Sequence, residues 1–381
     1  MHPMTLYLDA NATTPLEPRV LAEMLRCFES EYGNAGSPHR FGRMAKRRVH
    51  QARQRIAACV GARRHEVVFT SGATESNNLA ILGLAPNGER TGRRHVVSTR
   101  IEHKAVLEPL QHLVQRNFDV TFVLPRSTGR IDAADVLDAV RKDTLLVSVM
   151  QVNNETGACQ PVAEIAGGLT RRDVLLHVDA AQGFGKRNGD LRHPRIDLIS
   201  LSGHKIHGPQ GIGALIARRR DGQLPPLTAL HYGGGQEFGL RPGTLPVPLI
   251  AGFGLAAELA DREADERATH CRALRGDLLD ELRQLDVIVH GAPEFSVPNV
   301  VNLSFPGWDA DEVIEALDEV AAVSDGSACT SVCATSSHVL AAMGVQPPAI
   351  DGAVRMSWSH QTGRREFRAA VKAIRKRLAR R

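Results

Sequence analysis

Four stretches carry side chains whose type and setting could do chemistry. In "DLISLSGHKIHGPQGIGAL", Lys205 follows an apolar strand-like run and is bounded by Gly203, Gly208, Gly211 and Gly213. An ammonium at the end of a core strand is costly to bury without a partner or a covalent bond. That setting suits a Schiff-base lysine, with Ser202 and His204 beside it as phosphate ligands; a lysine that snorkels to solvent is the alternative. In "LLHVDAAQG", Asp179 ends another apolar run, where a carboxylate can keep a cofactor ring nitrogen protonated and Gln182 can reach a ring hydroxyl. An ordinary helix N-cap is the plainer reading of Asp179. In "FTSGATESNNLAI" a strand gives way near Thr70 to a helix beginning near Thr74, so Ala73 and Thr74 could cradle a phosphate with backbone N–H groups and the helix dipole. In "VSDGSACTSVC", Cys329 stands among small and polar neighbours with nothing bulky to bury it, which leaves the thiol reachable.

Three further residues complete the set. His103, in "STRIEHKAVLEP", follows the run "RHVVST" and could stack on an aromatic cofactor and move protons near neutral pH; an ordinary polar residue is the alternative. Asn154 in "QVNNETG" and Arg355 in "AVRMSWSH" could hold an α-carboxylate, which a guanidinium grips bidentately. For Arg355 the competing role is an ion pair within a smaller domain. Together these residues supply the parts of a pyridoxal 5′-phosphate site: phosphate cradle, ring-nitrogen acid, stacking group and covalent lysine.

The elements that must position them read as an α/β protein. The runs 66–70, 94–99, 119–124, 144–150, 173–178, 197–202 and 212–217 are short and rich in β-branched residues or leucine, as suits a sheet covered on both faces. Five of the site residues fall at or just after predicted strand ends, where such sheets bind ligands. A helix is predicted over 18–31, with Pro18 in its first turn and Val20, Leu21, Met24, Leu25 and Phe28 on one face. Beyond about residue 260 the pattern predicts a long charged helix over 256–285, a strand "VVNLSF", a helix from Asp309 to Val320, a strand "AVRMSW" and a terminal basic helix. The expected division is a large domain over 15–260, and a smaller α+β domain made of 1–14 and 261–381 that carries the Cys329 segment.

At 381 residues with 43% hydrophobic content, composition is that of a globular protein. No apolar run approaches the roughly eighteen residues of a membrane span and no charged leader precedes one, so a cytoplasmic, membrane-free protein is expected. Six scattered cysteines suit reduced thiols rather than a disulfide framework; Cys27 and Cys59 read as small buried hydrophobes. The net charge of +5 is concentrated in "RREFRAAVKAIRKRLARR", where Phe367, Val371, Ile374 and Leu378 recur at helical spacing. That pattern predicts a helix packed through its stripe with a solvated basic face, not a nucleic-acid contact. The Cys and His spacings match no zinc pattern, so no metal is expected.

The motifs "YLDANATTP", "FTSGATESNNLAI", "EHKAV", "VNNETG", "HVDAAQ", "SGHKIHGPQGIGAL", "RPGTLPV" and "GSACTS", in this order from about residue 6 to residue 360, resemble those of the cysteine desulfurases of the class V aminotransferase group. The resemblance implies fold type I, a homodimer, and conversion of L-cysteine to L-alanine with sulfur passed to an enzyme cysteine. It implies that Lys205 binds pyridoxal 5′-phosphate, Asp179 pairs the ring nitrogen, Gln182 bonds the ring oxygen and His103 stacks and shuttles protons. Ala73, Thr74, Ser202 and His204 would hold the phosphate with Thr244 from the other subunit, Asn154 and Arg355 the substrate carboxylate, and Cys329 would be the nucleophile. A selenocysteine lyase or aminotransferase of the same fold would share Lys205 without needing Cys329. Two departures stand out: "VCATSSHVL" replaces the Leu-Glu-Pro-like continuation after "GSACTS" and adds Cys333, and the chain stops after its basic helix. Cys333 could relay sulfur, form a disulfide or be a passive small residue. The acceptor is left open among iron–sulfur assembly, tRNA thiolation and DNA phosphorothioation.

Overall fold

The computed structural model describes residues 5–325 and 336–379. After the two-residue β1 (Leu6–Tyr7), the chain lays down a central sheet from β2 (Val67–Thr70), β3 (His95–Thr99), β4 (Asp119–Val123), β5 (Thr144–Met150), β6 (Leu175–Asp179), β7 (Leu198–Ser202) and β8 (Gly213–Ala217). The order across the sheet is β2-β8-β7-β6-β5-β3-β4. Every pairing is parallel except those of β8 with β2 and β7, so β2 to β7 all end at one edge. The seven apolar runs of the sequence become these seven strands within two residues at each end.

Pleating explains why the runs are continuously apolar. Ile199 and Leu201 of β7 point into one core and Leu198 into another; in β8, Ala214 and Ile216 divide likewise from Leu215 and Ala217. Both faces are covered, so successive side chains are all buried. The helices Arg40–Val60 and Val247–Arg262 close one face, and Ala73–Leu82 and Lys104–Gln115 the other. Each large apolar side chain so buried contributes roughly 1.5–3 kcal/mol. A polar seam crosses the sheet below its functional edge: His177 hydrogen-bonds Ser148 at 2.8 Å and Ser200 at 2.9 Å, and Ser98 donates to the Ser148 carbonyl at 2.9 Å.

The remaining chain builds β9 (Ile288–His290), β10 (Val300–Ser304), β11 (Ala321–Ala322) and β12 (Ala353–Ser357). β12, β10 and β9 form an antiparallel sheet, while β11 pairs in parallel with β1. Their core gathers Leu274, Leu278, Leu303, Trp358 and the whole expected stripe of the terminal helix Arg364–Leu378, namely Phe367, Val371, Ile374 and Leu378. Its basic face is ion-paired within the chain: Arg364 and Arg368 meet Asp277, Arg375 meets Glu281, and Arg377 meets Glu319. Cys27 and Cys59 are buried, as their helical spacing implied.

Three local expectations are corrected. The helix Pro18–Ser30 buries Val20, Met24 and Cys27, whereas Leu21, Leu25 and Phe28 are 45%, 49% and 57% exposed. Two stripes at the same i, i+4, i+7 spacing lie side by side, and only the first faces Val247–Arg262. The long charged helix is two helices, Val247–Arg262 and Ala264–Leu282, broken at Glu263, where Arg19, Arg262 and Arg267 converge on one carboxylate. The helix after Asp309 ends at Leu317, with Asp309 as its capping-box N-cap. Among the described residues no helix is long and apolar enough to cross a membrane.

Candidate active site

The edge where β2 to β7 end opens on a cavity of about 500 Å³ whose walls include Ala73, Thr74, His103, Asn154, Asp179, Gln182, Ser202, His204, Lys205 and Arg355. The ends of β2, β3, β5, β6 and β7 and the loops after them therefore bring residues from Ala73 to Lys205, 132 positions apart in sequence, to one space, and β12 adds Arg355. Thr244 is elsewhere, in a second, more open hollow with Glu75, Tyr232 and Arg241. Arg241 Nε donates to Glu75 at 3.0 Å, and Glu75 belongs to the helix whose first turn lines the main cavity. Cys329 and Cys333 lie outside the described residues.

Lys205 sits in the single helical turn Gly203–Lys205 directly after β7. Its Nζ donates to the carbonyls of Asn11 at 2.5 Å and Ala12 at 2.7 Å. Those carbonyls belong to an N-terminal strap. Ala10 N–H donates to Ser357 at 3.1 Å, Asn11 N–H to the Ser357 hydroxyl at 2.9 Å, and Thr14 N–H to the His204 carbonyl at 3.1 Å. Residues 8–14 thus join the lysine turn of the central sheet to β12 of the smaller one, and so fix Lys205 relative to Arg355.

Asp179 closes β6 with 5% of its surface exposed. Its Oδ1 accepts from Ala181 N–H at 2.9 Å within a turn, not as the helix N-cap the sequence allowed, since the next helix begins only at Asn188, and its Oδ2 accepts from Asn77 Nδ2 at 2.8 Å. Asn77 Oδ1 is buried without a hydrogen-bond partner. Gln182 is committed on both sides, donating to Asn11 O at 2.8 Å and accepting from Lys186 Nζ at 3.2 Å. His103 caps the helix Lys104–Gln115, its Nδ1 accepting from Ala105 N–H at 3.1 Å, so its proton is carried on Nε2 when the ring is neutral. His204 faces Thr13 Oγ1 at 3.1 Å, and burial, with the neighbouring Lys205, lowers its pKa to about 4. At neutral pH it is an uncharged donor.

The helix Ala73–Leu82 starts without a side-chain cap, so its leading N–H groups have no partner of that kind. Its entry turn packs closely on β8: a Cβ on Gly213 would lie 2.4 Å from Leu201 O and 2.6 Å from Gly72 Cα, whereas one on Gly72 would meet nothing within 4 Å. The turn is therefore pressed against the sheet on one side and open on the other. Pyridoxal 5′-phosphate fits what is present. An uncapped helix start and the neutral His204 suit its phosphate, Asp179 its ring nitrogen, His103 its face and Lys205 its aldehyde.

Arg355, on β12, donates through Nη2 to Asp9 Oδ1 at 2.6 Å and through Nη1 to Asn154 O at 3.2 Å. The ion pair named as its alternative role is present, yet the residue still lines the cavity beside Asn154. The turn carrying Asn154 is held by its neighbour: Asn153 Oδ1 accepts from Glu155 N–H at 2.9 Å and Thr156 N–H at 3.0 Å. Two carboxyls flank the site that the sequence reading passed over. Glu102 is fully buried, accepts from Thr99 Oγ1 at 2.6 Å and Met150 N–H at 3.0 Å, and is raised to about 8 by burial. Glu155 is raised to about 7, again chiefly by burial. Asn11, Asn77 and Glu155 all lie inside motifs noticed for other residues; the signal was their place in those motifs, not their type.

A sequence model of the aminotransferase class-V family matches residues 6–367. Cysteine desulfurase IscS of Enterobacter sp. (strain 638) is 42% identical over 382 aligned positions, covering 99% of this chain and 93% of that one. The crystal structure of DndA from Streptomyces lividans superposes with a TM-score of 0.82 at 49% identity, over 93% of this chain and 99% of DndA. A structure of SspA in complex with cysteine gives a TM-score of 0.81 at 35% identity, over 93% and 98%.

Proposed function

The chain belongs to the aminotransferase class-V family, and from that premise we propose that it is a pyridoxal 5′-phosphate-dependent cysteine desulfurase that turns L-cysteine into L-alanine and carries the sulfur as a persulfide on Cys329. The observation that carries the reading is the convergence of Lys205, Asp179, His103 and the open start of the helix Ala73–Leu82 on one cavity, with Asn154 and Arg355 at its rim.

Bound pyridoxal 5′-phosphate supplies a carbonyl for the substrate amine and a sink for the electrons left when the α-proton departs. The chain's residues do the rest. Ala73, Thr74, Ser202 and His204 hold the phosphate, Asp179 orients and charges the ring nitrogen, and Gln182 faces the ring oxygen. Arg355 and Asn154 hold the substrate carboxylate, with Asp9 keeping the guanidinium in plane. His103 Nε2 and the Lys205 amine are the groups that take and return protons near the α-carbon. The Cys329 thiolate takes the substrate sulfur: an S–S bond forms as the carbon–sulfur bond breaks, and the carbon regains a proton to give alanine.

The protein acts as a homodimer in this reading, Thr244 of the partner subunit completing the phosphate site; its separation from the chain's own cavity supports this. The large domain spans 15–260, and 1–14 with 261–381 form the smaller one. The compartment is the cytoplasm, and the acceptor serves iron–sulfur assembly, tRNA thiolation or DNA phosphorothioation. The test is incubation with L-cysteine, assay of alanine, and mass spectrometry of Cys329. Cys329→Ser should retain the cofactor's visible absorbance and lose persulfide. Sulfide release at the full wild-type rate from that variant would instead mark a lyase or aminotransferase of the same fold.

A further inference from the structure

The residues on either side of 326–335 are tied to the rim of the cavity at two neighbouring points. Upstream, Ser324 pairs with Arg355 as an antiparallel bridge, Arg355 N–H donating to Ser324 O at 2.6 Å and Ser324 N–H to Arg355 O at 3.2 Å. Downstream, the Ser337 hydroxyl donates to Glu155 Oε2 while accepting from Leu340 N–H at 3.1 Å, which caps the helix His338–Ala342. Glu155 is 3% exposed and follows Asn154 in the turn that Asn153 holds rigid. The Asn154 carbonyl accepts from Arg355 at 3.2 Å and from Asn11 at 3.1 Å. One network therefore joins the two proposed carboxylate-binding residues to both flanks of the segment that contains Cys329.

A carboxyl buried in a turn is costly, and nothing in the phosphate, ring or carboxylate contacts requires one at this position. We propose that Glu155 is a positioning residue for sulfur transfer: by holding Ser337 it fixes the downstream anchor of the Cys329 segment relative to Asn154 and Arg355. This rests on the desulfurase reading above. Cys329 lies five residues from Ser324 and eight from Ser337, so extended chain allows it at most about 17 Å from the first anchor and about 27 Å from the second. With both anchors fixed, chain length alone limits the thiol to the overlap of the two ranges. Releasing the downstream one enlarges that volume and lowers the thiol's effective concentration at the substrate sulfur.

The test uses the cofactor-loaded enzyme mixed rapidly with L-cysteine. The change in cofactor absorbance reports substrate engagement, and quenching with an alkylating agent before mass spectrometry reports Cys329 persulfide. Glu155→Ala and Ser337→Ala should each slow persulfide formation about tenfold while the absorbance change keeps its wild-type rate. The double variant should be no slower than the slower single one, because both changes break one contact. Glu155→Gln, which keeps an acceptor for Ser337, should stay within about threefold of wild type. Unchanged persulfide rates in both alanine variants overturn the assignment, as does an equal slowing of the absorbance change. Should Glu155→Ala not fold, Ser337→Ala and Ser337→Asp decide together: both lose the hydroxyl given to Glu155, only the aspartate keeps an acceptor for Leu340 N–H, and slowing in both assigns the effect to the Glu155 contact rather than to the helix cap. Failure of the desulfurase reading is distinguishable, because wild-type enzyme would then form no Cys329 persulfide.

Discussion

Replacing Glu102 by glutamine should stabilise the protein increasingly as pH rises. Glu102 is fully buried beside His103; Thr99 Oγ1 and Met150 N–H both donate to Oε1, while Oε2 is buried without a hydrogen-bond partner. Burial is the main cause that raises its carboxyl from 4.5 to about 8, with Asp179 adding a smaller push in the same direction. The folded protein thus binds a proton at neutral pH that the unfolded chain has released. A group raised in this way costs stability as pH climbs from its unfolded value toward its folded one. With 4.5 for the unfolded chain and 8 for the folded, the cost relative to the protonated state is about 1 kcal/mol at pH 5, about 3 kcal/mol at pH 7 and about 4 kcal/mol at pH 8.

Glutamine mimics the protonated acid, keeping an oxygen for Thr99 and Met150 and placing an N–H₂ where the acid O–H stood. The gain of Glu102→Gln over wild type should therefore grow by about 3 kcal/mol between pH 5 and pH 8. The assay is urea unfolding of both proteins, each loaded with cofactor, at pH 5, 6, 7 and 8, comparing the pH slope of the difference. A variant uniformly less stable, or a difference that does not change with pH, would refute the reasoning, because the carboxyl would then be ionised in the folded state.

Two other substitutions probe the site and its frame. Asp179→Asn keeps the Ala181 contact through Oδ1, and the Asn77 contact once the Asn77 amide turns its unpartnered Oδ1 toward the new Nδ2, but it removes the negative charge at the ring nitrogen, so alanine formation should fall on the order of 10²-fold or more with unfolding free energy within about 1 kcal/mol of wild type; activity within twofold would remove Asp179 from its role. Gly213→Ala puts a methyl 2.4 Å from Leu201 O and 2.6 Å from Gly72 Cα, both backbone atoms that cannot rotate away. It should cost about 1–3 kcal/mol in urea unfolding and weaken cofactor retention in dialysis. Gly167→Ala, in the helix Val162–Gly168 with nothing within 4 Å of the new methyl, is the neutral control.

The central sheet was legible because its strands are buried on both faces, so each run announces itself without needing a period. Lys205, Asp179 and His103 were legible for a related reason: a polar residue that ends an apolar run stands at a strand end, and in a parallel sheet those ends share an edge. Helix faces were less legible. Periodicity cannot say which of two adjacent apolar stripes on Pro18–Ser30 is covered, and the break at Glu263 follows no Gly or Pro. There the deciding contact is Arg19, 244 residues away, at 2.7 Å. Asn11 and Asn77 were missed because their importance lies in what they hold, the amine of Lys205 and the carboxylate of Asp179, and a sequence displays neither partner.

Several ionisable groups in or beside the cavity are held neutral or paired. Glu102, raised to about 8, stays mostly protonated near neutral pH, and His204, lowered to about 4, stays uncharged. The Arg355 guanidinium is matched by Asp9. Burial and pairing thus quiet these three groups. Lys205 Nζ donates to the backbone carbonyls of Asn11 and Ala12, whose dipoles orient the amine. The N-terminal strap therefore brings backbone dipoles to the amine, and this is the physical reason a segment so far from Lys205 in sequence lines the same cavity.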